Sequence, residues 1–476
     1  MAVVLKAKDA SDWCYRGEGA VNLVLSYSGN SPNFIGKVLR IQKTSTNGSQ
    51  KENGHSALTS HECLLWNEAE GLISAPTREV AEHLYVKHIM CRLLGSKHVD
   101  PGMRVCVSRE FLEAVEKNVL SERPSWRVKA AKVNLLCDSV LLISDHSVFP
   151  HVSAKEEFSV SVEIKPKCGF LPDSKYMEDR NAIKRSVTRF KMHQALKLHE
   201  GKISEISEYD PLDLFAGSKD RIHRAIKALY RTPQNNFRVF LNGSLIFGGL
   251  GGGAKSTNQI VGQDFEGALK CIIGAEDGLR TKHFLELVTE ALSGSGLLDR
   301  LLDVQKRDSI DIEGAIHSYY DIVSQPCVLC RNIDESKVSD RYTKLHSKPL
   351  EESLKIVRDY LIAATAKDLS MMLSFRPRAN GDVDSLYDVL ILESTNQTFD
   401  YKVSFIDLDM KPLTKMEYYY DLDQEIVQFY TQMVKSEPCL KKDLSMAENL
   451  YSDKVSSVKD DPLTKHAAVT QRSEIK

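Results

Sequence analysis

In the run VEIKPKCGFLP (residues 162–172), Glu163, Lys165 and Lys167 alternate with Val162, Ile164 and Pro166. Side chains two apart share a face of an extended chain. The run therefore predicts one face carrying an acid and two ammonium groups, and an opposite apolar face. Arg185, Arg189, His193 and Lys197 recur every four residues, which keeps them on one slowly drifting helix face. Lys411, Lys415 and Tyr419 repeat that spacing, and Arg127 stands beside Trp126 in a segment expected to be a strand. Taken alone, any one such stripe is a solvated helix face. Several separate segments that each aim cations suit a compact polyanion, because phosphates take Arg and Lys through charge-assisted hydrogen bonds.

Two acids stand at element ends. Asp368 closes a helical stretch in ATAKDLSMML, and Asp407 follows the apolar strand VSFI. An aspartate at a strand end is a natural magnesium ligand in a nucleotide site, and one just before a strand can act as a base toward a hydroxyl. Singly, each is equally an ordinary turn residue.

His317, Cys327, Cys330 and His346 form an H-x9-C-x2-C-x15-H array, a spacing that can supply four tetrahedral ligands to zinc. Two reduced core cysteines with unrelated histidines, or a redox pair, are the alternatives. The polar run RNIDESKVSDRYTK between the second cysteine and the second histidine would need a staple, and four closed ligands suit a structural rather than a catalytic ion.

The glycines are weaker signals. RGEG (Arg16 to Gly19) lies between two extended runs, where close backbone approach to phosphate needs residues without Cβ. Asn22 fills the third position of G-x-G-x-x-G, and a lone G-x-G is most often a turn. GLGGGAKS (Gly249 to Ser256) nearly matches a phosphate-binding loop, but Ala254 replaces the second glycine and TNQIVGQ intervenes before any helix. It reads as a surface loop.

The elements that must position these residues change character along 476 residues, room for about three average domains. The chain is 42% hydrophobic and 27% charged, with 63 basic and 65 acidic side chains and a net charge of −2, which argues against charge-driven binding to nucleic acid or acidic membrane. The apolar N-terminal run is too short for a signal peptide and no other stretch would span a bilayer, so an intracellular protein with reduced cysteines is expected. Residues 12–43 read as strand, turn, strand; 43–60 as a polar loop; 77–94 as helix; WRVKAAKV and DSVLLISDHSVF as strands. To about residue 145 this is a small α+β unit. Beyond it, residues 176–202 read as one helix, with others near 210–230, 262–274 and 281–305. NNFRVFLNGSLIFGG reads as a hairpin turning at Asn242-Gly243, PLEESLKIVRDYLIAATAKD as a strongly amphipathic helix, and TFDYKVSFIDLD as a strand. From about 436 the chain is polar and without period, a disordered tail.

YRGEGAVNLVLSY, EIKPKCGFLP, RFKMHQ, TPQNNFRVFLNG, DIEGAIHSYYDI, LIAATAKDLSMM and FIDLDMKPL, in that order, resemble the inositol-pentakisphosphate 2-kinase family, most closely its plant members, to about residue 430. The resemblance implies transfer of the ATP γ-phosphoryl group to the 2-hydroxyl of inositol pentakisphosphate, giving inositol hexakisphosphate. It implies an α+β, two-lobed, distantly protein-kinase-like fold: a smaller N-terminal lobe (1–145), a larger C-terminal lobe (146–435) carrying a zinc-stapled insertion, and a tail (436–476). Gly17, Glu18, Gly19, Ala20 and Asn22 would belong to the phosphate-covering loop. Arg40 would reach the nucleotide phosphates, Asp145 and His146 would lie near the adenine in a hinge (142–147), and Glu163 and Arg238 would face the nucleotide. Asp407 would hold magnesium, Asp368 would take the hydroxyl proton, and Lys165 would act with it. Arg127, Lys165, Lys167, Lys197, Asn235, Asn236, Lys411, Lys415 and Tyr419 would grip the inositol phosphates, and His317, Cys327, Cys330 and His346 would hold structural zinc. A family arginine on the last helix stands here as Lys415, which keeps the charge and loses the bidentate fork. The implied partners are ATP and the inositol phosphate alone, handled by a monomer in cytoplasm or nucleus without nucleic acid or membrane. A zinc-containing nucleic-acid-binding protein using the same basic faces is the alternative from another class; a protein kinase lacks support, since H-R-D and D-F-G are missing.

Overall fold

Strict alternation builds the first sheet. Leu23, Leu25, Leu39 and Ile41 are fully buried, while Asn22, Val24, Arg40 and Gln42 between them face a cavity. The computed structural model describes residues 4–19, 21–46, 57–69, 71–149, 158–249, 263–331, 340–378 and 385–436. In chain order the first-sheet strands are β1 (Val4–Leu5), β2 (Trp13–Glu18), β3 (Asn22–Tyr27), β4 (Lys37–Ser45), β5 (Met103–Val107), β6 (Ala131–Val133) and β7 (Ser139–Ser144). Across the sheet they lie β1-β5-β7-β4-β3-β2, with β6 on β4. The second sheet comprises β8 (Val160–Ile164), β9 (Phe237–Leu241), β10 (Ser244–Phe247), β11 (Ser370–Pro377), β12 (Asp388–Leu392) and β13 (Gln397–Ile406), in the order β10-β9-β8-β11-β13-β12. Every pairing in it is antiparallel. The α+β expectation holds, and the β9–β10 hairpin turns at Asn242 (φ 46°) and Gly243 (φ 81°) as the Asn-Gly pair demands.

Each sheet has its own core. The helix Arg109–Val119 buries Phe111, Leu112 and Val115 against the first sheet. Below the second, Val160, Val162 and Ile164 pack with Phe237, Leu373, Phe399 and Phe405. Core membership does not follow chain order, because Leu65, Trp66, Tyr85 and Leu94, from the helical segments between β4 and β5, lie in the second core.

Several local expectations need correction. Trp126 and Arg127 are on a short helix, Ser125–Ala130, and only Ala131–Val133 is extended. Pro124 presets the first turn and its carbonyl accepts from Arg127 N at 2.8 Å. The single helix expected over 176–202 is two pieces, a 3₁₀ turn Asp179–Arg185 and an α-helix Arg189–His199. Thr188 caps the second by accepting from Lys191 N, so Arg185 is not on the helix of Arg189, His193 and Lys197. The stretch 281–305 is likewise split, at Gly294 and Gly296, the latter at φ 64°. The helix Leu350–Asp368 is present, but its last two turns bury Leu361, Ile362, Ala363, Thr365 and Ala366, which is more than one stripe. The alternation opening at Val162 stops at Ile164, because Lys167 turns left-handed (φ 63°). Most of the Gly-rich run (250–256) and the tail from 437 lie outside the described residues.

One buried ionic cluster ties the helical segments together. Lys184 Nζ meets Asp311 (2.5 Å), Glu313 (3.0 Å) and Asp423 (2.8 Å), all nearly inaccessible, and Arg189 Nε adds a 3.2 Å contact to Asp423. Removing the ammonium leaves three buried carboxylates with only the Arg189 contact to Asp423 as a cationic partner among the described residues. Lys184→Met should therefore lower stability by about 3–5 kcal/mol, read as a reduced urea midpoint with unchanged m-value. A midpoint within error of the parent would show that the cluster is not a structural tie.

Candidate functional site

A cavity of about 490 Å³ opens between the two sheets. Its floor is a face of the second sheet, ordered by strand register. Phe240, Ser161, Ser374 and Lys402 form one row across β9, β8, β11 and β13; Arg238, Glu163, Met372 and Ser404 form the next. Successive rows are about 7 Å apart. β8 and β13 run the same way and β11 runs opposite, so the ends of β8 and β13 meet the start of β11 at one sheet edge. Three groups far apart in sequence arrive there together: Lys165 and Lys167 after β8, Asp407 after β13, and Asp368 just before β11. Non-glycine residues pay for left-handed backbone, and both Lys167 (φ 63°) and Asp407 (φ 60°) adopt it at this edge.

The polar groups form a continuous chain. Lys165 Nζ lies 3.1 Å from Asp407 Oδ2 and donates to Ser370 Oγ at 2.7 Å. Ser370 Oγ in turn donates to Glu163 at 2.9 Å, and Glu163 also takes Arg238 Nη1 at 3.1 Å. Burial pushes Asp407 up, but Lys165, Arg40 and Arg238 outweigh it and hold the carboxyl at about 2. Arg40 bonds Asp409 at 2.9 Å. Beyond Lys165, Asp368 takes Lys411 at 2.7 Å and faces Lys167 at 3.9 Å. Burial, then the neighbouring Lys165, Lys197 and Lys411, lower Lys167 to about 8 against the pull of Asp368. Burial and the charge of Asp368 raise Tyr419 to about 12, so its hydroxyl stays protonated as a donor.

The sequence model of the inositol-pentakisphosphate 2-kinase family matches residues 15–425. The chain is 56% identical over 440 residues to an inositol-pentakisphosphate 2-kinase of Arabidopsis thaliana, covering 92% of this chain and 97% of that protein. It is 52% identical over 434 residues to one of Oryza sativa subsp. indica (91% and 96% covered) and 30% identical over 503 to one of Danio rerio (91% and 96%). The chain belongs to the inositol-pentakisphosphate 2-kinase family. Each residue that the resemblance singles out can now be located.

Gly17, Glu18, Gly19, Asn22, Arg40, Arg127, Asp145, His146, Glu163, Lys165, Asn235, Arg238 and Asp407 line the cavity. Lys167, Asp368, Lys411 and Tyr419 gather outside its lining around the sheet edge, with Lys197 close enough to act on Lys167. Glu18 is turned away from the opening: its carboxylate is 1% exposed and held by Arg123 at 2.9 Å and by Lys43. Asn236 is buried at 2% and lends its backbone carbonyl to Lys165 N. Lys415 is exposed, with its ammonium 5.9 Å from the Tyr418 ring. Ala20 lies outside the described residues. Arg127 stacks over Trp126 at 4.0 Å and faces Arg238 across the cavity. Asp409, Ser370 and Arg16 are members of the site that sequence reading missed. Asp409 was within reach, since it repeats Asp407 at the two-residue spacing of DLD.

A second cluster fits a metal. The ligand atoms of His317, Cys327, Cys330 and His346 lie within 4.8 Å of one another. Both sulfurs are 3.4 Å from His317 Nδ1, Cys330 Sγ is 3.4 Å from His346 Nε2, and the two imidazole nitrogens are 3.3 Å apart. A zinc tetrahedron with ordinary bond lengths has edges of about 3.3–3.8 Å. Asp321 accepts from His346 Nδ1 at 2.6 Å, which directs the bare Nε2 to the cluster. The residues thus fit zinc, joining the helix Asp311–Ile322 to the short helices Val328–Arg331 and Asp340–His346; 332–339 are outside the described residues.

Two outcomes are expected. Cys330→Ser should lose bound metal and melt at a lower temperature, checked by elemental analysis and thermal unfolding; equal metal content in the two proteins would refute the site. Lys167 is charged well below about pH 8 and loses its charge as pH rises through that value. An inositol phosphate held by Lys167 should therefore lose affinity as pH rises through about 8, read by titration calorimetry, and Lys167→Gln should remove that limb.

Proposed function

We propose that the protein transfers the γ-phosphoryl group of ATP to the 2-hydroxyl of inositol 1,3,4,5,6-pentakisphosphate, giving inositol hexakisphosphate. The observation that carries this reading is the meeting of Asp368, Asp407 and Lys165 at one sheet edge, where the cavity ends and the ring of cations begins. Two lobes are proposed, 1–145 and 146–435, with the nucleotide between them. Its base lies toward Asp145 and His146, and its phosphates lie under Gly17 and Gly19 and beside Arg40 and Arg238. Arg127, Lys167, Lys197, Lys411, Lys415 and Tyr419 take the ring phosphates, with Asn235 and Asn236 nearby.

Phosphoryl transfer demands positioning and charge neutralisation more than covalent help. Asp407 is ionised at any physiological pH and would hold magnesium, which supplies charge screening on the β,γ-phosphates. Lys165, which bonds Ser370 and Asp407, would face the transferred group. Asp368 is held below the usual carboxylate range: burial raises it, but Lys411 and Lys167 lower it further. It is therefore a weak base, suited to orienting the hydroxyl and accepting its proton late, as a loose transition state requires. The structural zinc takes no part. No observation favours the nucleic-acid reading.

The test is incubation with labelled ATP, magnesium and a panel of inositol phosphates, with the product isomer identified. Asp368→Asn should lower turnover by about 10²–10⁴-fold while inositol phosphate affinity, by calorimetry, stays within a few-fold. Near-normal turnover would remove Asp368 from the role of base.

A further inference from the structure

The segment linking the two sheets after β7 is held from beneath in an unusual way. Three consecutive carbonyls of it accept from three different strands: His146 O from Ser374 Oγ (2.5 Å), Ser147 O from Ser161 Oγ (2.6 Å) and Val148 O from Lys402 Nζ (2.5 Å). The donors are not scattered. Ser161 pairs with Ser374 across β8–β11, and Ser374 pairs with Lys402 across β11–β13. They are one row, in register, on the cavity face of the second sheet, and the segment lies across that row.

Each hydroxyl has a single proton. With both protons directed at the segment, the 2.9 Å Ser161–Ser374 contact is oxygen against oxygen, and each serine holds its own carbonyl independently. Lys402 is further fixed by the Phe149 ring 5.0 Å away. On the other side, Asp145 Oδ1 accepts from Ser147 N (2.9 Å) and Ser147 Oγ (2.5 Å), and Ser147 Oγ receives Arg16 Nη2 (2.7 Å). Asp145 N still bonds to Gly36 O in the first sheet. The changeover from first sheet to second is thus confined to the Asp145–His146 link. Asp145, His146 and Ser147 line the cavity, and the buried His146 Nε2 has no hydrogen-bond partner among the described residues.

We propose that Ser161, Ser374 and Lys402 are positioning residues for the nucleotide: they make the 146–148 backbone part of the second sheet and so fix the directions of Asp145 and His146. This rests on the nucleotide placement proposed above, and the inositol phosphate site lies two rows away, beyond the reach of the staple. Losing one donor should loosen the base end and leave the sheet edge intact.

The experiment uses the full chain with Ser161→Ala, Ser374→Ala, the double variant, Lys402→Met and Lys402→Arg. The expected result is that KM for ATP rises about fivefold to tenfold in each single alanine variant, the effects multiplying in the double. KM for the inositol phosphate and kcat should stay within twofold, and Lys402→Arg, which keeps a cationic donor, should stay near the parent where Lys402→Met does not. In the ligand-free protein, amides 146–149 should exchange hydrogen at least tenfold faster in the variants with β11 unchanged. Equal rises in both KM values, or unchanged exchange and unchanged KM for ATP, would overturn the assignment. If the parent itself transfers nothing from ATP, the proposed function falls with the nucleotide role, and the exchange rates decide the anchoring alone.

Discussion

Like charges must be held together before their ligand arrives, and that constraint organises this site. Lys165, Lys167, Lys197 and Lys411 converge on one sheet edge, where burial and neighbouring like charges disfavour the charged forms of Lys167 and Lys197. Asp368 and Asp407 offset this as resident counterions, with Lys411 and Lys167 on the first and Lys165 on the second. Arg40 on Asp409 repeats the arrangement from the first sheet. The acids therefore have two duties under one geometry. They keep the cations charged and aimed along the edge, and their own carboxyls are held ionised by the same contacts.

The sheet does most of the assembling. Because β8 and β13 run alike and β11 opposes them, three chain segments meet at one edge, the first some two hundred residues before the other two. The cations from outside the sheet need other supports. The helix Arg189–His199, which carries Lys197, is tied through Arg189 to Asp423 of the last helix, Met416–Ser436, as is the preceding 3₁₀ turn through Lys184; that last helix carries Tyr419, and Lys415 closes the 3₁₀ turn just before it. The Cys/His cluster fixes the end of the helix Asp311–Ile322, whose own start supplies Asp311 and Glu313 to Lys184. The buried scaffold ions and the charged groups at the sheet edge are thus distinct sets joined by helices.

What could be read from sequence follows from this division. The alternation around Glu163 was legible because a strand with one face in the core permits one register only, and Val162 and Ile164 are indeed fully buried. The Cys/His spacing was legible because a tetrahedral site restricts its own ligands. The helix at Ser125–Ala130 was not, since Trp, Arg, Val and Lys read equally as strand and a proline decided the matter. Nor was the burial of Glu18 against Arg123, or the row of Ser161, Ser374 and Lys402. Those depend on pairings between separate segments, Glu18 with Arg123 and Ser161 with Ser374 being more than a hundred positions apart, which periodicity within one segment does not encode.

Left-handed backbone at Lys167 and Asp407 sharpens the point. Such a conformation costs of order 1–3 kcal/mol for a residue with a side chain, and glycine would relieve it at either position. Aspartate tolerates the region better than lysine does, so Lys167 is the more strained of the two. Glycine there would remove the ammonium facing Asp368, and at 407 it would remove the partner of Lys165. Each position needs a backbone that leaves the ladder at once and a charged group directed back over the strand end. Among the twenty side chains, none meets the first demand freely while also meeting the second. The strain is retained because the edge where the strands stop is also where the charges must meet.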